Sequence, residues 1–339
     1  MSAKSQPTIY DISDKAGVSI ATVSRVINGN TNVNQSTRER VLKVMEECGY
    51  TPNAFARGLG LNTMKTIGIL CADSSDIYLA KAVYYVEERL RTNGYDTLLC
   101  CTGYSLENKI ASLNLLISKK VDAVVLIGSN FLDLSEENNA YIRNAAGFVP
   151  IMLLNASYEY DNIYSIFCDD FGSMANAAGK LLDNGRKNIL YLYNSVSYSG
   201  IKKLEGFKSA YESRNLSPNK KQFALYQGPR DDINEISKCV AAAYKNNFFD
   251  AVIASEDILA AAAIKYIKKS GFEIPKDVSV IGYNNSIITT LTEPELSSVD
   301  NKLEAISKQL VSTLMGVLEG KDMPKKTEFS GEIIKRETT

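Results

Sequence analysis

The sequence predicts an all-α helix-turn-helix headpiece followed by an α/β core of two doubly wound, parallel-sheet subdomains. The first 50 residues carry short amphipathic helical patterns, and a polar, glycine-containing connector follows over residues 51–65. From Thr66 onward, short continuous apolar runs alternate with amphipathic segments, which is typical of parallel strands covered on both faces. These runs are too many for one comfortable sheet, so two successive sheets are expected.

The first two helices are predicted within residues 8–28, TIYDISDKAGVSIATVSRVIN. Thr8 is a candidate N-cap, because its hydroxyl can accept from a free N–H of the first turn. Gly17 permits the left-handed backbone that a sharp helix–helix turn requires, and Ser19 caps the second helix.

The second helix has an apolar face and a face of small and polar residues. Val23, Val26 and Ile27 are expected inside, with Val18 filling the turn. The residues expected to face outward are Ile20, Ala21, Thr22, Ser24, Arg25 and Asn28. Such a surface suits contact with base edges and phosphates, so this helix is expected to enter a DNA groove.

A third helix is predicted from about Ser36 to Cys48, capped by Asn34 or Ser36. Its apolar stripe is predicted to consist of Val41, Leu42 and Met45. Pro52 suits the first turn of a short helix over Asn53–Leu59, within the connector.

The core is predicted from its alternating pattern. The apolar runs expected to be strands are 66–70, 96–101, 122–128, 150–155, 187–194, 249–255 and 278–284. The segments expected to be helices are 79–93, 108–119, 172–184, 202–214, 233–246, 258–270 and 302–320. In this fold class, ligands bind at the carboxyl ends of the strands, here in a cleft between two subdomains.

Composition excludes several classes of function. The chain contains no histidine, so Ser-His-Asp and Cys-His catalytic arrangements are impossible, and no enzymatic activity is expected. The six cysteines lack metal-ligand spacing and are expected to be reduced, and we expect no cofactor and no metal. We find no signal peptide or membrane-spanning run and expect a cytoplasmic protein. Residues 1–64 contain seven Lys/Arg and five Asp/Glu, so charge alone does not predict DNA binding.

Five segments together form a specific pattern: TIYDISDKAGVSIATVSRVINGN, STRERVLKVMEECGYTPNAFARGL, TIGIL, DVSVIGYNN and LSSVD. In these segments the chain resembles the lac-repressor (LacI/GalR) family of bacterial transcription regulators, and the resemblance extends over essentially its whole length. The resemblance implies a periplasmic-binding-protein-like core and a dimer that reads an inverted-repeat operator. The domains expected are a headpiece (1–50), a hinge helix with linker (51–65), a first core subdomain (66–163 with 292–325) and a second (164–291 with 326–339).

The resemblance also implies the DNA contacts. Ile20 and Ala21 match base-reading positions, Arg25 lies one turn later, and Leu59 matches a residue that wedges into the minor groove beside Ala56. The positions that match phosphate contacts or their supports are Thr8, Tyr10, Ser19, Thr22, Ser24, Asn28, Asn34, Thr37, Tyr50 and Asn53.

A sugar-like effector, bound between the core subdomains, is the further implication. The candidate effector-binding residues are Asp76, Tyr78, Asn155, Lys202, Arg230, Asp257 and Asn284. Asp257 has a second interpretation as the N-cap of the helix that follows it, and Lys202 and Arg230 as solvated surface charges.

Three alternatives for control and function remain open. Many sugar-responsive members carry a gripping Arg where Ile201 stands here, so an anionic sugar acid or phosphosugar on Lys202 or Arg230 is one hypothesis. Control by a protein partner, as in the catabolite-control branch, is another. A solute-binding protein is the third, and the missing signal peptide and the added headpiece disfavour it. We expect a homodimer, because no heptad tail follows FSGEIIKRE.

Overall fold

The computed structural model describes residues 7–51, 63–245 and 247–339. The helix predicted over 53–59 lies outside these ranges. Within them, no helix is both long enough and apolar enough to cross a bilayer.

Between residues 7 and 51 the headpiece contains three helices: α1 (Ile9–Ala16), α2 (Ile20–Ile27) and α3 (Gln35–Cys48). The predicted caps are confirmed. The Thr8 hydroxyl accepts from the Asp11 N–H, and the Asp11 carboxylate accepts from the Thr8 N–H in return, which completes a capping box. Gly17 has φ 62°, the left-handed conformation that ends α1. Asn34 is the residue that caps α3.

A small apolar core joins these helices. Its buried members are Ile12, Ala16, Val23, Val26 and Val41. The prediction for α3 was wrong at one position: Leu42 is 48% exposed, while Val44 and Met45 pack against the core. At about 100° per residue, Leu42 lies to one side of the stripe that Val41, Val44, Met45 and Cys48 form.

The core of the protein contains twelve strands within the described ranges. They are β1 (Thr66–Cys71), β2 (Asp96–Cys101), β3 (Ala123–Ile127), β4 (Ile151–Leu154), β5 (Ile163–Cys168), β6 (Ile189–Tyr193), β7 (Phe223–Leu225), β8 (Ala251–Ala254), β9 (Ser279–Tyr283), β10 (Ser297–Asp300), β11 (Lys326–Phe329) and β12 (Glu332–Ile334). The α-helices among them are α4 (Ile77–Thr92), α5 (Leu106–Ser118), α6 (Ala140–Ala146), α7 (Asp170–Asp183), α8 (Tyr198–Glu212), α9 (Ile233–Tyr244), α10 (Asp257–Lys269) and α11 (Leu303–Leu318).

The strands form two six-stranded sheets, as the fold class predicts. The first has the order β11-β5-β4-β3-β1-β2 and the second the order β12-β10-β9-β8-β6-β7. The pairings that join β1, β3, β4, β5 and β11 are parallel. In the second sheet β12 is antiparallel to β10, whereas the other strand pairs of that sheet are parallel. We call the two halves the first and second subdomains.

The predicted subdomain boundaries differ from the sheet membership at three places. β5 pairs with β4 and β11, so the first subdomain continues past the predicted boundary at 163. β10 pairs with β9 and lies in the second sheet, although residues 292–325 were assigned to the first. β11 lies in the first sheet, although residues 326–339 were assigned to the second. The chain therefore crosses between the subdomains near residues 169, 301 and 330.

Buried apolar side chains cover both sheets. In the first subdomain, Ile306, Leu310 and Leu314 of α11 pack with strand residues such as Val125 and Met152. The second subdomain has one cluster on each face of its sheet, built around Val252 on one face and Tyr191 on the other. Continuous burial of β3, β4, β8 and β9 explains why their sequences are uniformly apolar.

Candidate functional site

The outer face of α2 presents the side chains predicted to read DNA. Ile20 is 40% exposed, Ala21 and Arg25 are exposed, and Thr22, Ser24 and Asn28 are half-buried. The Arg25 guanidinium has no side-chain partner among the described residues, so its donor groups are available. An exposed apolar pair followed one turn later by an unpaired Arg can contact both thymine methyls and guanine acceptors.

Local hydrogen bonds position the polar groups around this face. Ser19 Oγ accepts from the Thr22 N–H at 3.2 Å and lies 2.9 Å from Thr22 Oγ1. Asn34 Oδ1 accepts from the Ser36 N–H at 2.9 Å. Ser13 Oγ donates to the Val18 carbonyl at 2.6 Å and closes the turn between α1 and α2. The turn therefore holds the start of α2 in a fixed orientation relative to α1.

Other predicted contacts also lie on the headpiece surface. Thr8 is exposed, Tyr10 is 64% exposed, and Thr37 and Tyr50 are half-buried. Asn53, Ala56 and Leu59 lie outside the described residues. Residues 7–51 contain five basic and five acidic side chains, so the arrangement of α2, and not net charge, must provide selectivity.

The carboxyl ends of the core strands meet around a small inner chamber of about 110 Å³. Five of the seven predicted effector residues line it: Asp76, Tyr78, Asn155, Arg230 and Asn284. Each lies just beyond a strand or at the start of the following helix, where a doubly wound fold places its ligand. Two wider openings of about 460 and 650 Å³ share Tyr104 and Arg230 with this chamber.

The prediction for Lys202 was wrong. Its ammonium is exposed and forms an ion pair with Glu205 at 3.0 Å, away from the residues that line the inner chamber. The neighbouring Lys203 lines the chamber instead. Its Nζ donates to the Ser255 carbonyl at 3.2 Å and lies 3.8 Å from the centroid of the Tyr283 ring. Neighbouring residues on a helix point about 100° apart, which is why the Lys203 side chain lines the chamber and the Lys202 side chain does not.

Asp257 is also absent from the inner chamber, although it borders the opening of about 460 Å³. Its side chain is 2% exposed, and its carboxylate accepts from the Ser286 N–H at 2.6 Å and from Ser298 Oγ at 2.5 Å. Burial raises the pKa of Asp257 to about 6, although the hydrogen bonds from Ser298 and Ser286 act to lower that pKa. The residue ties α10 to β10 and to the loop that follows β9, and Glu256 precedes it at the N-cap position.

A second buried carboxylate lies behind the chamber. Asp170 accepts from Tyr283 Oη at 2.6 Å and from Ser199 Oγ. Burial raises the pKa of Asp170, and the nearby Lys203 ammonium opposes that shift. Lys203 and Asp170 therefore interact electrostatically within the wall of the chamber.

Arg230 connects the two subdomains across the cleft. One guanidinium nitrogen lies 2.5 Å from Asp76 Oδ2 of the first subdomain and 3.2 Å from Glu256 Oε1 of the second. The guanidinium carbon lies 5.8 Å from the centroid of the Tyr104 ring. The Arg230 guanidinium is thus already paired with two carboxylates.

Several buried polar atoms on the chamber walls have no hydrogen-bond partner among the described residues. They are Tyr78 Oη, Asn130 Nδ2, Asn155 Oδ1, Asn194 Oδ1 and Ser255 Oγ. Buried polar atoms are normally paired, so these atoms are available to donate to, or accept from, a bound molecule. Sequence reasoning missed Asn130, Asn194 and Ser255, although Asn194 and Ser255 end predicted strands.

The backbone explains why asparagine occurs at two strand ends. Asn155 has φ 68° and Asn284 has φ 97°, in the left-handed region that asparagine tolerates better than most residues. Each turn directs an amide side chain into the inner chamber. No group of three or more potential metal ligands occurs within the described ranges.

Comparisons with known proteins agree with this architecture. A model of bacterial regulatory proteins of the lacI family matches residues 8–53, and a model of the periplasmic binding protein-like domain matches residues 178–339. A transcriptional regulator of the helix-turn-helix type from Lachnoclostridium phytofermentans is 54% identical over 331 residues, covering 98% of this chain and 99% of its own length. The regulator AscG of Escherichia coli is 30% identical and covers 98% of both chains.

Among solved structures, a lac repressor dimer bound to operator and an anti-inducer superposes with a TM-score of 0.84. It is 22% identical and covers 98% of each chain, which supports the fold. Together with the two matched domains and the 54% identical relative, this likeness extends over nearly the whole chain. The protein belongs to the lacI family of bacterial regulatory proteins and is a DNA-binding transcriptional regulator of the helix-turn-helix type.

Proposed function

We propose that the protein is a repressor that binds an inverted-repeat operator as a homodimer and responds to a neutral, polyhydroxylated effector of the sugar class. The unpartnered polar atoms of the inner chamber carry the effector part of this proposal. Asn130, Asn155, Asn194 and Ser255 offer both donors and acceptors, which matches the hydroxyl groups of a sugar.

The charges of the chamber favour a neutral ligand over an anionic one. Arg230 is held by Asp76 and Glu256, and the Lys203 ammonium donates to the Ser255 carbonyl close to the buried Asp170. A phosphate or carboxylate would have to displace those carboxylates or approach them, and both cost free energy in a partly dry site. A neutral sugar needs only the amides and hydroxyls that are unpartnered.

The DNA part of the proposal is supported by the outer face of α2. Ile20, Ala21 and Arg25 would contact base edges, while the capped helix starts at Thr8, Ser19 and Asn34 would position the headpiece on phosphates. A two-fold symmetric dimer then reads two inverted half-sites. The protein would act in the cytoplasm, where its operator lies, without catalytic activity of its own.

Thermal denaturation of the full-length protein with a panel of ligands tests the effector class. Neutral mono- and disaccharides are compared with the matching sugar acids and phosphosugars, at equal ionic strength. A true effector at about 100 times its Kd stabilises the folded state by about 2.7 kcal/mol. We expect the shift from a neutral sugar, and a shift only with the phosphosugars would overturn the neutral assignment.

Two variants locate the binding site. Asn155→Ala and Asn194→Ala each remove an unpartnered amide oxygen from the chamber and should abolish most of the ligand-induced shift. Lys202→Ala is the matched control, since its ammonium pairs with Glu205 and does not line the chamber. An equal loss in the control would mean that the shift reports something other than the chamber.

Operator binding is tested by fluorescence anisotropy with inverted-repeat and random duplexes over a range of salt. Specific binding should exceed random binding by at least about 10³ and weaken as salt rises. Equal affinity for both duplexes would refute sequence-specific repression. Adding the effector found above then shows whether it releases or strengthens the complex.

A second candidate, control by a protein partner, is favoured by one observation. A groove of about 1070 Å³ lies beside α4 and α11 and is lined by Lys81, Tyr84, Arg89, Lys302 and Lys308, among others. Substituting Tyr84→Ala and Lys308→Glu discriminates between the two modes of control. A sugar-controlled regulator keeps its ligand response in these variants, whereas a partner-controlled one loses its regulation in the cell.

A further inference from the structure

We infer that Arg230 is a positioning residue that latches the cleft closed, and that it controls effector affinity through closure instead of through contact with the ligand. The Arg230 guanidinium donates to Asp76 of the first subdomain at 2.5 Å and to Glu256 of its own subdomain at 3.2 Å. The inference concerns the ligand-free protein and does not depend on which class of effector binds.

The partners of Arg230 are themselves held in place. Asp76 caps α4: its Oδ1 accepts from the Tyr78 N–H at 2.9 Å and the Leu79 N–H at 3.0 Å, which leaves Oδ2 for Arg230. Glu256 Oε2 accepts from Asn194 Nδ2 at 3.1 Å, which leaves Oε1 for Arg230. Each carboxylate thus presents one oxygen to the guanidinium.

The loop that carries Arg230 is also fixed. Tyr226 Oη donates to the Pro229 carbonyl at 2.8 Å, and the Tyr226 N–H donates to Tyr193 of β6 at 2.7 Å. At Gly228, an added Cβ would lie 2.4 Å from Tyr226 Oη, so the loop folds closely over that ring. A rigid loop delivers the guanidinium across the cleft at little cost in conformational entropy.

This bridge is better shielded from water than an ordinary surface ion pair, so removing one partner is costly. The side chains of Arg230, Asp76 and Glu256 are 32%, 10% and 23% exposed. Removing the guanidinium would leave Asp76 and Glu256 as like charges on opposite walls, with nothing between them. Loss of Arg230 is therefore expected to do more than remove an attraction, because it also introduces a repulsion that opens the cleft.

A second contact across the cleft provides the measurement. Ser129 Oγ of the first subdomain lies 2.9 Å from Ser197 Oγ of the second. A Ser129→Cys/Ser197→Cys variant places two thiols where a disulfide can form only when the cleft is closed. The cysteines that are not fully buried are replaced by serine in this background: Cys48, Cys100, Cys101 and Cys239.

The test measures the effective concentration of this thiol pair in a glutathione redox buffer, using full-length protein without effector. Arg230→Gln should lower the effective concentration at least about fivefold relative to the parent. Arg230→Gln/Glu256→Gln should recover most of that loss, since it removes the repulsion and restores the local net charge. Lys202→Gln, a change on the exposed face of α8, should leave the value unchanged.

A further variant approaches the latch from the opposite wall. Asp76→Asn keeps an N-cap acceptor for α4 but removes the charge, so it should lower the effective concentration without unfolding the helix. An unchanged effective concentration in both Arg230→Gln and Asp76→Asn would overturn the latch. It would also be overturned if the effective concentration in Arg230→Gln/Glu256→Gln were no higher than in Arg230→Gln. Failure of the sugar screen would leave this result standing, because closure is measured without ligand.

Discussion

The raised pKa of buried Asp257 leads to a pH dependence of stability that one substitution should remove. The folded protein holds a proton on this carboxyl up to about pH 6, whereas an unfolded chain releases it near 3.8. The proton therefore favours the folded state fully below pH 3.8, and this contribution is lost as pH rises through 6. Lys203 is the charged group that interacts with the Asp257 carboxylate, and Ser286 and Ser298 donate hydrogen bonds to that carboxylate.

The size of the effect follows from that interval. One pH unit corresponds to about 1.4 kcal/mol, so the difference between 3.8 and about 6 is worth about 3 kcal/mol. Asp257→Asn keeps the shape of the side chain but cannot ionise. The free energy of unfolding of the variant, relative to the parent, should therefore rise by about 2 kcal/mol between pH 4 and pH 7, since the rest of the change falls below pH 4.

Urea denaturation at half-unit intervals of pH, followed by far-UV circular dichroism, measures this difference. Asp183→Asn is the matched control, since Asp183 is exposed and the hydrogen bond from Arg214 lowers its pKa. The free energy of unfolding of Asp183→Asn, relative to the parent, should therefore fall as pH rises, which is opposite to the change expected for Asp257→Asn. A constant difference between Asp257→Asn and the parent from pH 4 to pH 7 would refute the assignment of a raised pKa to Asp257.

Three further predictions concern the headpiece and the second subdomain. Arg25→Gln should weaken specific operator binding by about 1–3 kcal/mol and relax preference at one base pair, in anisotropy titrations where Arg40→Gln serves as control. Ile12→Ala removes a fully buried side chain at a cost of about 2–5 kcal/mol, enough to unfold the headpiece, so calorimetry should show the core transition unchanged while operator binding is lost. Gly206→Ala would place a Cβ 2.2 Å from the Phe171 carbonyl oxygen, so the core should lose about 1–3 kcal/mol in thermal denaturation; an unchanged midpoint would contradict the close approach of α7 and α8.

Four strands that are buried on both faces could be predicted from the sequence to within one or two residues, whereas the equally buried β5 was not among the predicted strands. β3, β4, β8 and β9 are continuous apolar runs because helices cover both faces of each sheet. β10, with the sequence SSVD, could not be recognised in this way. It is a strand because β9 and β12 lie on either side of it and pair with its backbone.

Two site residues were predictable because they follow strands, although Asn194 and Ser255, which also end strands, were missed. The lining residue of a helix could not be predicted, because it depends on how the helix is rotated. Asn155 and Asn284 end apolar runs, so topology alone places them at the cleft. Lys202 and Lys203 are adjacent in sequence, and only the packing of α8 determines which ammonium lines the chamber. The role of Arg230 was hidden for a different reason, since its partner Asp76 lies 154 residues away.

The last two strands of the chain, β11 and β12, belong to different sheets, so neither sheet is complete during synthesis until they have been made. β11 closes the edge of the first sheet beside β5, and β12 closes the edge of the second beside β10, only a few residues later. A growing chain that has not yet produced residues 326–334 therefore exposes an unpaired edge on both sheets at once. Unpaired edges invite pairing with other chains, so the interval before these residues emerge is when a nascent chain of this protein is most exposed to misassembly.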